Sequence, residues 1–211
     1  MVRAHAVSGR FIAVAGSIGA GKSSLIRFLE SRFGLHPFYE HNEENPFLGE
    51  FYADMAGYAF RAQVWFLARK FRAHQEVASI DRSAVLDRTV YEDAEVFAAH
   101  LARRGLFPPR EYETYGALYR SIRDALPPPD LLIYLKTSPA TQRRRIALRG
   151  RPSERGIDGE YLRGLNRLYR SWVAGWKRSP VLVIDADRLD FVADLAHQAD
   201  VLTTLRRHLG R

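Results

Sequence analysis

The stretch that decides the fold lies near the start of the chain, where residues 11–34 read FIAVAGSIGAGKSSLIRFLESRFG. Its first five residues, Phe11–Ala15, are all apolar, which predicts a strand that is buried on both faces of a parallel sheet. Over residues 23–33 apolar side chains recur at helical spacing, and Gly34 is placed to end that helix. The stretch therefore predicts a strand, a glycine-rich loop and a helix in succession.

The glycine-rich loop fits the P-loop pattern, in which four residues separate two glycines and a Lys and a Ser follow the second. Glycines let consecutive backbone N–H groups curl round phosphate oxygens, and the helix that follows points its N-terminus at the anion. In this pattern Lys22 neutralises phosphate charge and the Ser23 hydroxyl ligates Mg²⁺. The loop predicts a binding site for a nucleoside triphosphate, formed by Gly16, Ser17, Ile18, Gly19, Ala20, Gly21, Lys22, Ser23 and Ser24.

Short apolar runs alternate with helical stretches along the rest of the chain. Further strands are predicted at residues 37–40, 83–86, 130–135 and 181–184. Helices are predicted at residues 47–52, 59–80, 96–101, 111–126, 139–148, 161–176 and 192–209. Because strands that alternate with helices pair in parallel, the pattern predicts an α/β fold with a five-stranded parallel sheet and helices on both faces. A single domain over residues 1–211 is expected, since no repeat or long linker interrupts the pattern.

Composition limits the class of protein. The chain has 211 residues, of which 46% are hydrophobic and 27% charged, and these globular proportions exclude a disordered chain. Cysteine is absent, which excludes disulfides, thiolate metal sites and a thiol nucleophile. The sequence shows neither a run of about 18 apolar residues nor the apolar segment of a signal peptide at its start. We therefore expect a cytoplasmic protein without a membrane segment.

The net charge of +8 has two explanations. It arises from 32 Lys and Arg against 24 Asp and Glu, and only four of the cations are Lys. Arg favours planar, bidentate contacts with phosphate and carboxylate groups, so a polyanionic partner is one explanation. An Arg-rich coding bias that leaves the side chains solvated is the other, and the charge alone does not separate them.

Carboxylates follow two of the predicted strands. Glu40 comes at the end of the second, and Asp87 with Arg88 follows the third. In open parallel sheets ligands bind beyond the carboxyl ends of the strands. A carboxylate in that place can accept a proton from an attacking hydroxyl or ligate Mg²⁺. The alternative for each is a helix cap or a surface charge.

Five motifs, taken in order, resemble those of the deoxynucleoside kinase family, and within it the bacterial deoxyadenosine/deoxycytidine and deoxyguanosine kinases. The first two are Tyr39-Glu40 followed by Asn45-Pro46-Phe47-Leu48, and Phe51-Tyr52 followed by Gln63. The others are Asp87-Arg88-Thr89-Val90-Tyr91-Glu92-Asp93, residues 129–135, and Arg145, Arg149, Gly150 and Arg151 leading to Glu154 and Tyr161-Leu162. The resemblance spans about residues 11–187. It implies a three-layer P-loop kinase fold, ATP and Mg²⁺ as donor and cofactor, and a homodimer.

The resemblance also implies a role for each matched side chain. Glu40 would be the general base on the 5′-hydroxyl of a deoxynucleoside. Arg88 would orient that base and steady the transferred phosphoryl group, while Asp87, like Ser23, would help to place Mg²⁺. Tyr52 and Glu154 would hold the 3′-hydroxyl of the deoxyribose.

Base recognition is where this chain departs from the family. Gln63 would bind the base edge, because its amide offers a donor and an acceptor. The family's discriminating Arg and Asp correspond to Lys70 and Asp93, and Lys makes no bidentate fork. Arg69 is a candidate substitute for that Arg. Deoxyadenosine is the expected acceptor. The aromatic residues Trp65, Phe66, Phe97 and Tyr169 are expected to pack in the core, and stacking against the base is the alternative for them.

The family's mobile lid corresponds to residues 145–159. Its arginines, which fold over the phosphates, match Arg145, Arg149 and Arg151. The adjacent Arg143 and Arg144 are instead expected to be solvated on a basic helix face.

Three other functions remain as alternatives. A nucleoside monophosphate kinase of the thymidylate-kinase type needs cations that face its acceptor phosphate, whereas Glu40 would repel one. A nucleotide- or nucleic-acid-binding module would use the basic surface, but the sequence shows no nucleic-acid-binding motif. A catalytically silent kinase fold is disfavoured by intact Lys22, Ser23, Glu40, Asp87 and Arg88.

Overall fold

Five parallel strands form the sheet of this computed structural model, which describes residues 9–154, 156–188 and 195–209. The strands are β1 (Phe11–Ala15), β2 (His36–Phe38), β3 (Ala84–Asp87), β4 (Leu131–Lys136) and β5 (Val181–Asp185). Their order is β2-β3-β1-β4-β5, and each neighbouring pair is parallel. The carboxyl ends of all five strands therefore meet at one edge of the sheet, where the P-loop also lies.

Helices cover the sheet and carry the connections. They are α1 (Lys22–Phe33), α2 (Leu48–Ala53), α3 (Met55–Ser79), α4 (Val90–Glu92), α5 (Ala99–Arg103), α6 (Pro109–Asp124), α7 (Pro139–Arg149), α8 (Gly159–Gly175) and α9 (Leu195–Leu209). Between α4 and α5 the chain is wound as a π-helix over Asp93–Ala98, so that these three segments form one continuous helical run. Short 3₁₀ turns lie at Asn42–Glu44 and Pro152–Glu154.

The core has two apolar layers, one on each face of the sheet. Alternate residues of β1 supply both: Ile12 and Val14 face one layer, while Ala13 and Ala15 face the other. The first layer packs against α1 and α9, and the second packs against α3, α6 and α8. Burial on both faces explains why β1 is apolar without alternation.

The predicted α/β fold and five-stranded parallel sheet are confirmed. The strand ends differ from the prediction by one or two residues; β2, for example, ends at Phe38 and leaves Glu40 in the loop that follows it. The predicted start of the last helix, at residue 192, lies outside the described residues. Among the described helices, none is long and apolar enough to cross a membrane.

Candidate active site

The P-loop joins β1 to α1 in the predicted conformation. Gly19 and Gly21 have φ angles of 75° and 99°, which side-chain-bearing residues rarely adopt. A Cβ at Gly19 would also lie 2.8 Å from the carbonyl oxygen of Gln142 on α7. The helix begins directly at Lys22, whose buried ammonium has its pKa lowered by desolvation and by the charge of Arg88. The backbone N–H groups of the loop and the Lys22 side chain therefore lie together at the N-terminus of α1.

Asp87, the last residue of β3, faces the start of α1. Its Oδ2 accepts a hydrogen bond from the Ser23 hydroxyl over 3.4 Å, and its Oδ1 lies 4.0 Å from Lys22 Nζ. Asp87 Oδ1 is buried and has no hydrogen-bond partner. A hydroxyl and an under-coordinated carboxylate are hard oxygen ligands, so this pair can hold Mg²⁺ through one or two protein contacts, as Mg²⁺ beside phosphates prefers. Within the described part of the chain, no cluster of three or more acidic or His side chains offers an all-protein metal cage.

The Glu40 carboxylate is bound by two cations. Arg88 Nη1 lies 3.3 Å from Glu40 Oε2, and Lys70 Nζ lies 3.1 Å from Glu40 Oε1. All three side chains are at least nine-tenths buried. Burial would raise the pKa of the Glu40 carboxyl, but Arg88, Lys70 and Lys22 lower it to about 2. Glu40 is therefore an anion at neutral pH.

Arg88 reaches Glu40 from a strained backbone position. Its φ of 63° lies in the left-handed region, where residues other than Gly are uncommon. The Arg88 N–H donates to the carbonyl of Val14 over 3.1 Å, so the neighbouring strand holds the residue in place. Its guanidinium stacks 4.4 Å above the Phe97 ring centroid, a cation–π contact. The guanidinium is thus held at its edge by the ion pair with Glu40 and on its flat face by the Phe97 ring.

Glu92 is a functional candidate that lies within one of the matched motifs but has no role implied by the resemblance. The residue is fully buried at the end of α4, where its Oε1 accepts hydrogen bonds from the Gly16 N–H over 3.2 Å and from the Tyr169 hydroxyl. The same oxygen lies 3.5 Å from Arg88 Nε. Glu92 therefore connects the P-loop to Arg88 and to α8. Residues 90–94 are all buried and Asp93 is a second acid among them, so no local sequence signal singles out Glu92.

A cleft opens beside Glu40 and Arg88. Its walls include four side chains to which the resemblance gives a role in deoxynucleoside recognition, Tyr52, Gln63, Asp93 and Glu154, and also Tyr161. Two buried atoms in these walls, Gln63 Oε1 and Asp93 Oδ2, have no hydrogen-bond partner. Because buried polar atoms are almost always paired, two such atoms in one cleft wall indicate a polar ligand.

Asp93 differs sharply from Glu40 in its electrostatics. Burial raises the pKa of its carboxyl to about 7, and the opposing charge of Lys70 offsets this only in part. Asp93 forms no salt bridge within 4.0 Å of any described cation, whereas Glu40 forms two. At neutral pH the Asp93 carboxyl is thus a mixture of acid and anion.

The predicted lid arginines are each held by oxygen atoms. Arg149 pairs with Glu154, with its Nη2 2.6 Å from the Glu154 carboxylate. Arg151 Nη2 lies 3.0 Å from Glu43 Oε1, and Arg145 donates to the carbonyls of Ala20 in the P-loop and Ala186 after β5, each over 2.9 Å. Both Arg149 and Arg151 line the cleft. They also line a groove over the P-loop, whose basic side chains are Lys22, Arg27, Arg144, Arg145, Arg149, Arg151 and Arg188.

Three expectations need correction. Lys70 does not line the cleft and forms no salt bridge with Asp93, because Glu40 and the Asp87 carbonyl hold its ammonium. Arg69 does not replace it, since this side chain is turned outward to Glu44 at 2.5 Å. Phe66 and Phe97 are not purely core residues, because both line the cleft.

The remaining expectations about nearby side chains have mixed outcomes. Tyr169 is fully buried in the core, as expected, whereas core packing is wrong for Trp65, which is half-buried and belongs to neither apolar layer. Arg143 and Arg144 are exposed on α7, as expected for a solvated face, although Arg144 also lines the groove over the P-loop.

Together, a nucleotide-binding loop and a cation-bound carboxylate that faces a separate acceptor cleft define a P-loop kinase. The family model described as deoxynucleoside kinase matches residues 12–210. The chain therefore belongs to the deoxynucleoside kinase family.

Curated relatives support this assignment over most of their length. The chain is 40% identical over 200 residues to a deoxyguanosine kinase of Lactobacillus acidophilus, covering 90% of this chain and 87% of the relative. It is 32% identical over 192 residues to a deoxyadenosine/deoxycytidine kinase of Bacillus subtilis, with 90% and 88% covered. A solved deoxyadenosine kinase from M. mycoides, with the products dCMP and a flexible dCDP bound, superposes with a TM-score of 0.83 at 28% identity, over 93% of this chain and 99% of that chain.

Proposed function

We propose that the protein transfers the γ-phosphoryl group of ATP to the 5′-hydroxyl of a deoxynucleoside, with deoxyadenosine as the preferred acceptor. The observation that carries the proposal is the buried Glu40 carboxylate, which is ionised and lines the same cleft as the P-loop residues Gly19 and Lys22. An anion in that place repels an acceptor phosphate but accepts a proton from a hydroxyl. It therefore favours a nucleoside over a nucleoside monophosphate.

In the proposed reaction the 5′-oxygen attacks the γ-phosphorus, a new O–P bond forms and the bond to the β-phosphate oxygen breaks, releasing ADP. The hydroxyl proton passes to Glu40, which Arg88 orients. Because the transition state is loose, catalysis consists mainly of positioning and of charge stabilisation. Mg²⁺, when bound, neutralises charge on the phosphate oxygens.

Donor binding is assigned to the P-loop backbone, Lys22 and the lid arginines. Lys22 supplies a buried positive charge next to the loop, and Arg145 braces the loop through the Ala20 carbonyl. Arg149 and Arg151 border both the cleft and the groove over the P-loop, so they reach the point where donor and acceptor meet. Ser23 and Asp87 are the proposed Mg²⁺ ligands.

Acceptor binding is assigned to two ends of the cleft. Tyr52 and Glu154 are proposed to hold the 3′-hydroxyl. Burial, and then the charge of Glu154, raise the pKa of the Tyr52 phenol to about 12. The phenol therefore stays protonated and can donate. Gln63 and Asp93 are proposed to read the base through their unpaired oxygens.

The chemistry of these two side chains favours adenine. An amide pairs its acceptor and its donor with the amine and the ring nitrogen of adenine. Asp93 accepts a further hydrogen bond from an exocyclic amine, which thymine lacks. Deoxyguanosine is the second candidate, because the relative that is 40% identical is a deoxyguanosine kinase, whereas a deoxyadenosine kinase of Lactobacillus acidophilus is 34% identical.

Two further parts of the proposal are a homodimer, which the family resemblance motivates, and a cytoplasmic location, which is expected from the sequence. Sedimentation or light scattering of the purified protein would test the first. Fractionation of cells that express the protein would test the second.

The proposed function is tested by incubating the protein with ATP and Mg²⁺ and each of the four deoxynucleosides, with dTMP in a parallel reaction. We expect monophosphate products with all or some deoxynucleosides, fastest with deoxyadenosine. Turnover of dTMP alone would show that the acceptor is a phosphate and would refute the proposal. Faster turnover of deoxyguanosine would overturn only the preference for adenine.

A further inference from the structure

Lys70 occupies an unexpected place between two strand ends. It is buried on α3, and its Nζ donates to the carbonyl oxygen of Asp87, the last residue of β3, over 2.6 Å. The same Nζ lies 3.1 Å from Glu40 Oε1, in the loop after β2. Lys70 therefore links the end of β3 to the carboxylate that faces the acceptor cleft.

The two oxygens of Glu40 are bound by cations from different elements. Lys70 on α3 holds Oε1 and Arg88, after β3, holds Oε2. A carboxylate with one cation on each oxygen cannot rotate about its last bond without breaking an ion pair. With Arg88 alone, only one ion pair would oppose that rotation. The pair of contacts thus sets the orientation of the carboxylate plane.

We propose that Lys70 is a positioning residue for the reaction: it fixes the Glu40 carboxylate against the acceptor hydroxyl and takes no part in reading the base. This inference rests on the general-base role proposed for Glu40. It assigns Lys70 to the reacting centre instead of to the base-discriminating pair that the sequence suggested.

A cation beside a general base has two opposing effects. Lys70 fixes the geometry of Glu40, but it also makes the carboxylate a weaker base. In phosphoryl transfer through a loose transition state, little proton transfer is needed before the phosphorus–oxygen bond breaks, so orientation matters more than basicity. Loss of Lys70 should therefore slow the reaction, although it would make Glu40 more basic.

The competing role for Lys70 is to support Asp93 in base recognition. The geometry opposes it, because the two side chains form no salt bridge and Asp93 Oδ2 has no hydrogen-bond partner. Asp93 also retains a pKa of about 7, which a directly bound ammonium would lower further. Asp93 and Gln63 line the cleft, whereas Lys70 does not.

The test is a double-mutant cycle between Lys70→Met and Glu40→Gln, with kcat measured for deoxyadenosine and ATP·Mg²⁺. We expect Lys70→Met alone to lower kcat by about 10–100-fold, the usual cost of misplacing a reacting group. Added to Glu40→Gln, it should lower kcat by less than about threefold, because the group that it positions is already lost. A purely structural role would lower kcat by the same factor in both backgrounds.

A second readout is the ratio of kcat/KM values among the four deoxynucleosides. Lys70→Met should leave these ratios unchanged, while Asp93→Asn should change them. Arg69→Met is the matched control, since it removes the neighbouring cation from an exposed position and should change neither kcat nor the ratios. Lys70→Arg keeps a buried cation and should recover kcat by about tenfold over Lys70→Met.

The outcomes separate this inference from the proposed function. If the unmodified protein phosphorylates no deoxynucleoside, the proposed function fails. If that protein is active, an unchanged or higher kcat for Lys70→Met, equal losses in both backgrounds, or altered base ratios would overturn the role of Lys70. If Lys70→Met lowers the melting temperature too far for assay, Lys70→Arg replaces it in the cycle. A positioning role then predicts a smaller fold-loss in kcat in the Glu40→Gln background than in the unmodified protein, and equal losses would overturn that role.

Discussion

The backbone N–H of Gly16 donates to Glu92 Oε1 over 3.2 Å and joins the first residue of the P-loop to the helical run that begins after Arg88. The same oxygen accepts from the Tyr169 hydroxyl on α8 and lies 3.5 Å from Arg88 Nε. One buried oxygen thereby connects the donor loop, the residue that orients Glu40, and the helix that follows the lid. The donor and acceptor sides of the site are thus held together by an acid that does not line the nucleoside cleft.

Glu92→Gln should therefore destabilise the protein and lower kcat together. The amide keeps one acceptor oxygen, but it removes the charge that balances Arg88 and presents an NH₂ group to neighbouring donors. Breaking a buried ion pair typically costs about 3–5 kcal/mol, and we expect a loss of about 3 kcal/mol in the free energy of unfolding. Urea denaturation measures the first effect and steady-state kinetics the second.

Glu95→Gln is the control for this substitution. Glu95 also accepts hydrogen bonds from a Tyr and a Trp and pairs with Arg178, but it is about one-third exposed and contacts no P-loop residue. A loss of about 1 kcal/mol with unchanged kcat is expected. Equal effects of the two substitutions would show that Glu92 has no special connection to the site.

The sequence predicts the sheet well because β1, β3, β4 and β5 are short, mostly apolar runs. It also predicts most of the cleft, since Glu40, Gln63 and Asp93 stand at motif positions and the structure brings them together. It does not predict the contacts that depend on distant helices. Tyr169 binds Glu92 from 77 positions away, and no local pattern indicates that pairing.

The position of Lys70 shows the same limit. The family resemblance paired Lys70 with Asp93. In the fold, the Lys70 ammonium on α3 instead contacts Glu40 and the carbonyl at the end of β3. A buried ammonium takes the strongest available acceptors, and which acceptors are near is decided by packing, which the sequence pattern does not contain.

Glu40→Gln should leave nucleotide binding intact and lower kcat by about 10²–10⁴-fold, the usual contribution of a positioned general base. The amide is similar in shape but cannot take the hydroxyl proton. Binding of ATP, measured by calorimetry, provides the control because the P-loop does not contact Glu40 directly. An unchanged kcat would move the base role elsewhere, with Asp87, which also lines the cleft, as the next candidate.

Arg151→Met should reduce kcat more than it raises KM for the deoxynucleoside. Arg151 pairs with Glu43 and borders both the cleft and the groove over the P-loop, so its charge matters most as phosphate charge redistributes. Arg143→Met is the matched control, because that side chain is exposed and lines neither cavity. A rise in KM with kcat intact would place Arg151 at the acceptor site.

Asp93 should make the protein less stable as pH rises. Burial raises the pKa of its carboxyl from 3.8 to about 7, so the folded state binds more protons than the unfolded state between these values. Stability therefore falls from about pH 4 to pH 7 and stays low above it. The groups that face Asp93 are Lys70, Glu40, Arg88, Glu92 and Tyr115.

Asp93→Asn removes this titration, and the difference in melting temperature between the variant and the unmodified protein isolates it. Buried His74 and His100 titrate in both proteins and cancel in the difference. We expect the variant to gain melting temperature relative to the unmodified protein between pH 5 and pH 8, measured without ligands. A difference that is constant with pH would mean that Asp93 is already ionised at pH 5.

The same carboxyl should make the choice of base depend on pH. A protonated Asp93 can donate to the O4 carbonyl of thymine, whereas an ionised Asp93 cannot and leaves two acceptors facing each other. Adenine offers an exocyclic amine, from which both the protonated and the ionised carboxyl can accept a hydrogen bond. Discrimination against thymidine should therefore be weak below the pKa of about 7 and strong above it.

The measurable quantity is the ratio of kcat/KM for deoxyadenosine to that for thymidine at pH 6 and at pH 8. The protonated fraction of a group with a pKa of about 7 falls roughly tenfold over that range, so the ratio should rise by up to about tenfold. Any pH dependence of the phosphoryl transfer step is shared by both substrates and cancels in the ratio. Asp93→Asn carries a permanent donor and a permanent acceptor, so its ratio should stay level. A ratio that falls with pH, or one that rises equally in Asp93→Asn, would show that Asp93 does not read the base.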